Sequence, residues 1–149
     1  MNHPRTWYVV ADGGRARVVQ KRAGQEAFET SWEIVASDIH HRTHDLGTER
    51  PGRSRESATS AHHAVQPRAD LHRANKQNFV LDVAAMLNEA NQRNEFDCLV
   101  LVAPAHPLGD LRAALDASTE RKITGELQKD LTKVPNADLA EHLAHLSPA

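Results

Sequence analysis

One cysteine, Cys98, stands in a chain of 149 residues. With no second thiol there is no intrachain disulfide, so a chain of this length has to be held by its own core. Aromatic residues make up only 4%, which leaves aliphatic side chains to fill most of the interior. No apolar run approaches the roughly 18 residues that a membrane-spanning helix needs. The opening residues, Met1-Asn2-His3-Pro4-Arg5, lead into a short apolar stretch without an h-region or a small-residue cleavage site. The expected location is therefore the cytoplasm, with no membrane partner. A strong charge of either sign is also missing: the formal net charge is −2 with histidine neutral. Bulk attraction to nucleic acid normally needs a strongly basic chain, so any such attraction here has to come from a local patch. No internal repeat is visible.

Several patterns are present. Thr6–Ala11 and Arg15–Gln20 are rich in β-branched and apolar residues and read as strands, and the alternating segment Phe28–Ala36 reads as a third. Asp12-Gly13-Gly14 reads as the first turn, with glycines that accept positive φ. The second turn falls near Arg22-Ala23-Gly24-Gln25. From about Ala69 to Asn91, Phe79, Val80, Val83, Ala84, Met86, Leu87 and Ala90 recur at helical spacing and form one apolar stripe. The front of that helix is polar and basic and is expected to project from the body. The continuous run Cys98–Ala103 suits a central strand buried on both faces, with Cys98 shielded. Pro107 suits the first position of the next helix, whose stripe is Leu108, Leu111 and Leu115. Ile123–Leu131 reads as a last strand and Leu139, Leu143 and Leu146 as a terminal helix. The predicted order is βββ-α-β-α-β-α: residues 1–149 as a single α/β domain with a mixed sheet and helices on its faces. Residues 37–68 form a long polar excursion before the first long helix, and so long a loop in a compact domain is normally functional or disordered.

That excursion and the front of the helix hold the leading candidate site. Arg42, Arg50, Arg53, Arg55, Arg68, Arg73 and Lys76 lie in one segment. The guanidinium fork matches phosphate, and such contacts supply affinity without reading sequence. Between Ser37 and Asn78 these seven cations meet five Asp and Glu, a net +2. No aromatic residue interleaves to stack bases. The ten histidines form a second candidate, because His40, His41 and His44 fall within five residues beside Asp45. Three imidazoles and a water make a catalytic zinc site, although no His-Glu-x-x-His motif fixes their geometry. The alternative to RNA binding is thus a metal-dependent hydrolase using those histidines, and a further alternative is a protein–protein interaction module. A nuclease needs clustered carboxylates for two metal ions. Here Asp12 alone ends a strand suitably, Ala103-Pro104 stands where another acid is needed, and Asp97 lies at the wrong end of its strand, so Asp12 reads as a turn residue. No Gly-x-Ser-x-Gly elbow supports Ser54 or Ser57 as a nucleophile. His106 sits after the central strand, where open α/β sheets bind ligands, and reads as a loop or helix-start residue.

Four blocks, in order, carry a resemblance to a known family. They are Val10-Ala11-Asp12-Gly13 with Ala16-Arg17; Glu49-Arg50-Pro51-Gly52-Arg53-Ser54 with Glu56-Ser57; Phe96-Asp97 and Cys98–Pro104 with Leu108-Gly109 and Leu111-Arg112; and Lys129-Asp130-Leu131-Thr132. The chain resembles the bacterial host-attachment proteins, which are similar to the middle domain of eukaryotic and archaeal peptide-chain release factors. The resemblance implies a ribonuclease-H-like fold and a link to the ribosome. In the release factors the loop before the long helix carries a Gly-Gly-Gln tripeptide that assists peptidyl-tRNA hydrolysis. Here that loop reads Pro51-Gly52-Arg53-Ser54-Arg55-Glu56-Ser57, so release activity is not implied. The function expected from composition and resemblance together is a non-enzymatic module, without cofactor, that contacts ribosomal RNA or tRNA through the arginine-rich segment. Any effect on attachment is expected to be indirect.

Overall fold

A computed structural model describes residues 4–21, 24, 27–36 and 68–146, with the backbone alone for 68–74 and 145. The elements are β1 (Thr6–Ala11), β2 (Arg15–Lys21), β3 (Phe28–Val35), α1 (Arg68–Gln92), β4 (Cys98–Ala103), α2 (Ala105–Ala114), α3 (Ala117–Glu120), β5 (Ile123–Gln128) and α4 (Asn136–Leu143), with a 3₁₀ turn at Ala144–Leu146. Five strands form one mixed sheet in the order β3-β2-β1-β4-β5. β2 runs antiparallel to β1 and β3, whereas β1, β4 and β5 are parallel. The predicted element order holds, with the short α3 as an unforeseen addition.

Strand alternation divides the core in two. Trp7, Val9 and Ala11 of β1 and Leu99, Leu101 and Ala103 of β4 share one face with Phe79, Val80, Val83, Ala84 and Leu87 of α1 and Leu108 and Leu111 of α2. Tyr8, Val10, Val100 and Val102 point the other way and meet Leu131, Leu139 and Leu143. β4 has a parallel neighbour on each side and an apolar residue at every buried position, which is why its sequence runs continuously apolar instead of alternating. Five of the few aromatics pack on one another: Trp7 on Phe96 and Trp32, and Tyr8 on Phe28. Fully burying one such large side chain stabilises by about 1.5–3 kcal/mol.

Several expectations need correction. The last strand stops at Gln128, not Leu131. The chain turns at Asp130, and Leu131 drops into the second core from the loop. α2 begins at Ala105 behind an extended Pro104, which places Pro107 inside the first turn. There its missing N–H still costs nothing, since the early N–H groups of a helix have no helical acceptor. The terminal helix ends at Leu143 and tightens into the 3₁₀ turn. Cys98 is half-buried. Of the turn glycines only Gly24 has positive φ, at 81°; Gly13 serves another purpose, described below. Residues 75–78 of α1 are exposed as predicted, but the helix is not detached there, because Lys76 lies against the β1–β2 turn.

Candidate functional site

The parallel strands β1, β4 and β5 end side by side, and a cleft of about 1090 Å³ opens over their carboxyl ends. This is where open α/β sheets generally receive ligands, because the loops leaving neighbouring strands diverge there. Asp12-Gly13-Gly14 with Arg15, Pro104 with His106, Pro107 and Asp110, Asp130 with Lys133, and Lys76, Gln77 and Val80 of α1 supply its walls.

Each wall follows from local chemistry. Asp12 closes the β1–β2 turn: its Oδ1 accepts from the N–H of Gly14 at 2.7 Å and of Arg15 at 2.8 Å. This is the turn role expected from an aspartate before two glycines. Its Oδ2 faces the hydroxyl of Thr132 at 3.2 Å, and that hydroxyl lies 2.6 Å from Asp130 Oδ1. The Thr132 N–H also donates to Asp130 Oδ1 at 3.0 Å. Asp130 is therefore held below the usual carboxylate range, first by the Thr132 hydroxyl and further by its N–H and by the charge of Lys133. Gly13 matters for space. A Cβ there would fall 2.6 Å from Lys76 Cγ and 2.8 Å from Lys76 Cβ, so a residue without a side chain is what lets the Lys76 stem lie on the turn.

Arg17 holds the third wall from behind. It stands on β2 opposite Val10 of β1 and is buried. Its guanidinium donates to the carbonyl of Thr132 at 2.8 Å and to the carbonyl of Val134. Its Nε is buried without a partner. Burial pulls its pKa down and Glu33 opposes that shift. Asn136 Nδ2 donates to Thr30 Oγ1 at 2.8 Å, tying the end of the same loop to β3.

The sequence-predicted residues fall into three groups. Arg42, Arg50, Arg53 and Arg55, the histidines His40, His41 and His44, and Ser54 and Ser57 lie outside the described residues. Arg68 and Arg73 occupy the first turns of α1. Lys76 is brought to the cleft, as is His106 in the first turn of α2. Asp97 sits at the opposite end of β4, paired with Arg5 at 3.3 Å. Among the described residues no group of three or more His, Cys, Asp or Glu converges as metal ligands would. Sequence reasoning missed Arg15, Arg17, Asp130, Thr132 and Lys133 as parts of a site. The Asp-x-Thr spacing at 130–132 is itself a turn signal, but nothing local says that it meets Asp12, 120 positions away in sequence.

A family model described as "Protein required for attachment to host cells" matches residues 7–143. The chain belongs to this family. No curated protein matches it in sequence. Among solved structures, this host-attachment family member is similar to an archaeal translation termination factor, aRF1, with a TM-score of 0.50 at 9% identity. The match takes in 95% of this chain, which spans 38% of the length of that factor. At such low identity the likeness is one of fold, and it agrees with the release-factor resemblance drawn from the sequence blocks. No helix among the described residues is long and apolar enough to cross a membrane.

Proposed function

We propose that this host-attachment family member is a non-enzymatic RNA-binding module of the cytoplasm. In this reading it contacts ribosomal RNA or tRNA through the basic segment Arg42, Arg50, Arg53, Arg55, Arg68, Arg73 and Lys76. The observation that carries the reading is the seating of Lys76. This member of the segment lies on the Asp12–Gly14 turn at the mouth of a cleft that also presents Arg15 and Lys133. The basic segment thus leads toward a cleft that already presents cations from two other elements. A fold shared with a translation termination factor supports the same direction. Phosphate contacts of this kind give affinity that collapses as salt rises. A role in attachment to host cells then follows indirectly, through translation.

Co-sedimentation with ribosomes across a salt series tests this. We expect association at low salt that weakens steeply with ionic strength. The double variant R53A/R55A should weaken it roughly tenfold, the loss of two contacts each worth somewhat under 1 kcal/mol. No association at low salt, or an unchanged double variant, would refute the reading.

A further inference from the structure

We propose that the cleft over the carboxyl ends of β1, β4 and β5 is a pocket for one phosphorylated ribonucleotide, bound by Arg15, Lys76 and Lys133 at its phosphate. This rests on, and deepens, the RNA-binding reading. Three cations from three separate elements line one cleft: Arg15 at the start of β2, Lys76 on α1 and Lys133 on the β5–α4 loop. Among the described residues none of the three forms an ion pair with a carboxylate.

The cleft also holds three acids, Asp12, Asp110 and Asp130, so formal charge by itself does not decide the ligand. The hydrogen bonds do. Asp12 Oδ1 is committed to the Gly14 and Arg15 N–H groups, and Asp130 Oδ1 to the N–H and hydroxyl of Thr132. Both carboxylates therefore face donors built into the wall, and Arg17 fixes that wall from behind. The cations remain available to an incoming anion. Asp110 has no hydrogen-bond partner among the described residues, which leaves an acceptor for a ribose hydroxyl or a base amino group.

Pro104 and Pro107 give the same cleft apolar surface, suited to the flat face of a base. Its volume, about 1090 Å³, is slightly above the roughly 300–1000 Å³ of small-molecule sites, so a nucleotide fits with room for a further residue of a strand. α2 starts at this wall with no side-chain cap on its N-terminus, so the positive end of its dipole adds to the field. An anion, a hydrogen-bond donor and a flat apolar face on one small ligand describe a nucleotide, either free or at the end of an RNA strand.

The test is an amide NMR titration of the full chain with adenosine monophosphate, adenosine, inorganic phosphate and a short oligoribonucleotide carrying a terminal phosphate. The monophosphate should move the amides of Gly13, Gly14 and Lys76, and adenosine should not. K76Q and K133Q should each weaken binding several-fold, while R121Q leaves it unchanged. All three side chains are exposed, and equal melting temperatures would verify that the variants fold. A tighter oligonucleotide points to an RNA end and a tighter monophosphate to a free nucleotide; both support the pocket. Silent amides at millimolar monophosphate would overturn it, as would inorganic phosphate binding as well as the nucleotide. Ribosome association with silent cleft amides would remove the pocket and leave the RNA reading standing. Monophosphate binding without ribosome association would do the reverse.

Discussion

Thr132 sits between two carboxylates with one proton to give. A hydroxyl donates once, and the 2.6 Å contact to Asp130 is shorter than the 3.2 Å contact to Asp12, so Asp130 receives it. Thr132→Val keeps the shape and removes the donor. Leaving these groups unmatched should cost about 1–3 kcal/mol in urea unfolding. The Asp130 pKa should move up toward its ordinary value, which a carboxyl NMR titration would read. An unmoved Asp130 would show that the hydroxyl does not hold it. Gly13 offers a second residue-level test. Gly13→Ala drives a Cβ into the stem of Lys76, close to the helix where the side chain has little room to swing. It should cost about 1–3 kcal/mol, the range for overpacking. At Gly14 the nearest atom to an added Cβ is 3.8 Å away, so Gly14→Ala should be nearly neutral. Equal effects at the two positions would contradict the close-approach role of Gly13.

α1 ends in a defined stop. Asn94 has φ 61°, the Glu95 N–H donates to the Ala90 carbonyl at 3.0 Å and the Asn94 N–H to the Asn91 carbonyl at 2.9 Å. That is the Schellman pattern with asparagine in the left-handed position. Glycine takes this conformation without the steric cost carried by a Cβ, so Asn94→Gly should stabilise the protein by several tenths of a kcal/mol to about 1, read as a raised urea midpoint. The β5–α4 loop shows the other way to fix an element, through a long-range anchor. Arg17→Met keeps the buried stem but strands the carbonyls of Thr132 and Val134. Hydrogen exchange should then accelerate across 130–136, with a stability loss of about 1–3 kcal/mol. Unchanged exchange in that loop would mean that Arg17 does not anchor it.

For the molecule as a whole, acid is the informative variable. Asp97 is lowered by its hydrogen bonds from Arg5, Asp116 by those from Thr119 and Asp130 by those from Thr132. A carboxylate depressed in the folded state contributes stability above its unfolded pKa, about 3.9, and loses it as pH falls through the folded value. The contribution of these three groups should thus be level above about pH 5 and decline below about pH 4. Thr132→Val should flatten only the part of that decline belonging to Asp130, as measured by urea midpoints against pH. Much of this architecture was legible before any coordinates. The β-branched and aromatic content of β1, the period-two alternation in β3, the continuous apolar β4 and the three-and-four spacing of Phe79 to Ala90 each reflect burial of a single element, a property that neighbouring residues encode. Boundaries were harder: Leu131 looked like strand because a buried loop leucine and a strand leucine are equally apolar. The basic segment was visible as composition, and its descent to Lys76 could be counted along the chain. Only the tertiary structure could bring Lys76 onto Gly13, Thr132 between Asp12 and Asp130, and Arg17 under the loop that carries Lys133. Those meetings are set by which elements lie side by side, and contact between residues about sixty to 120 positions apart leaves no local periodicity to read.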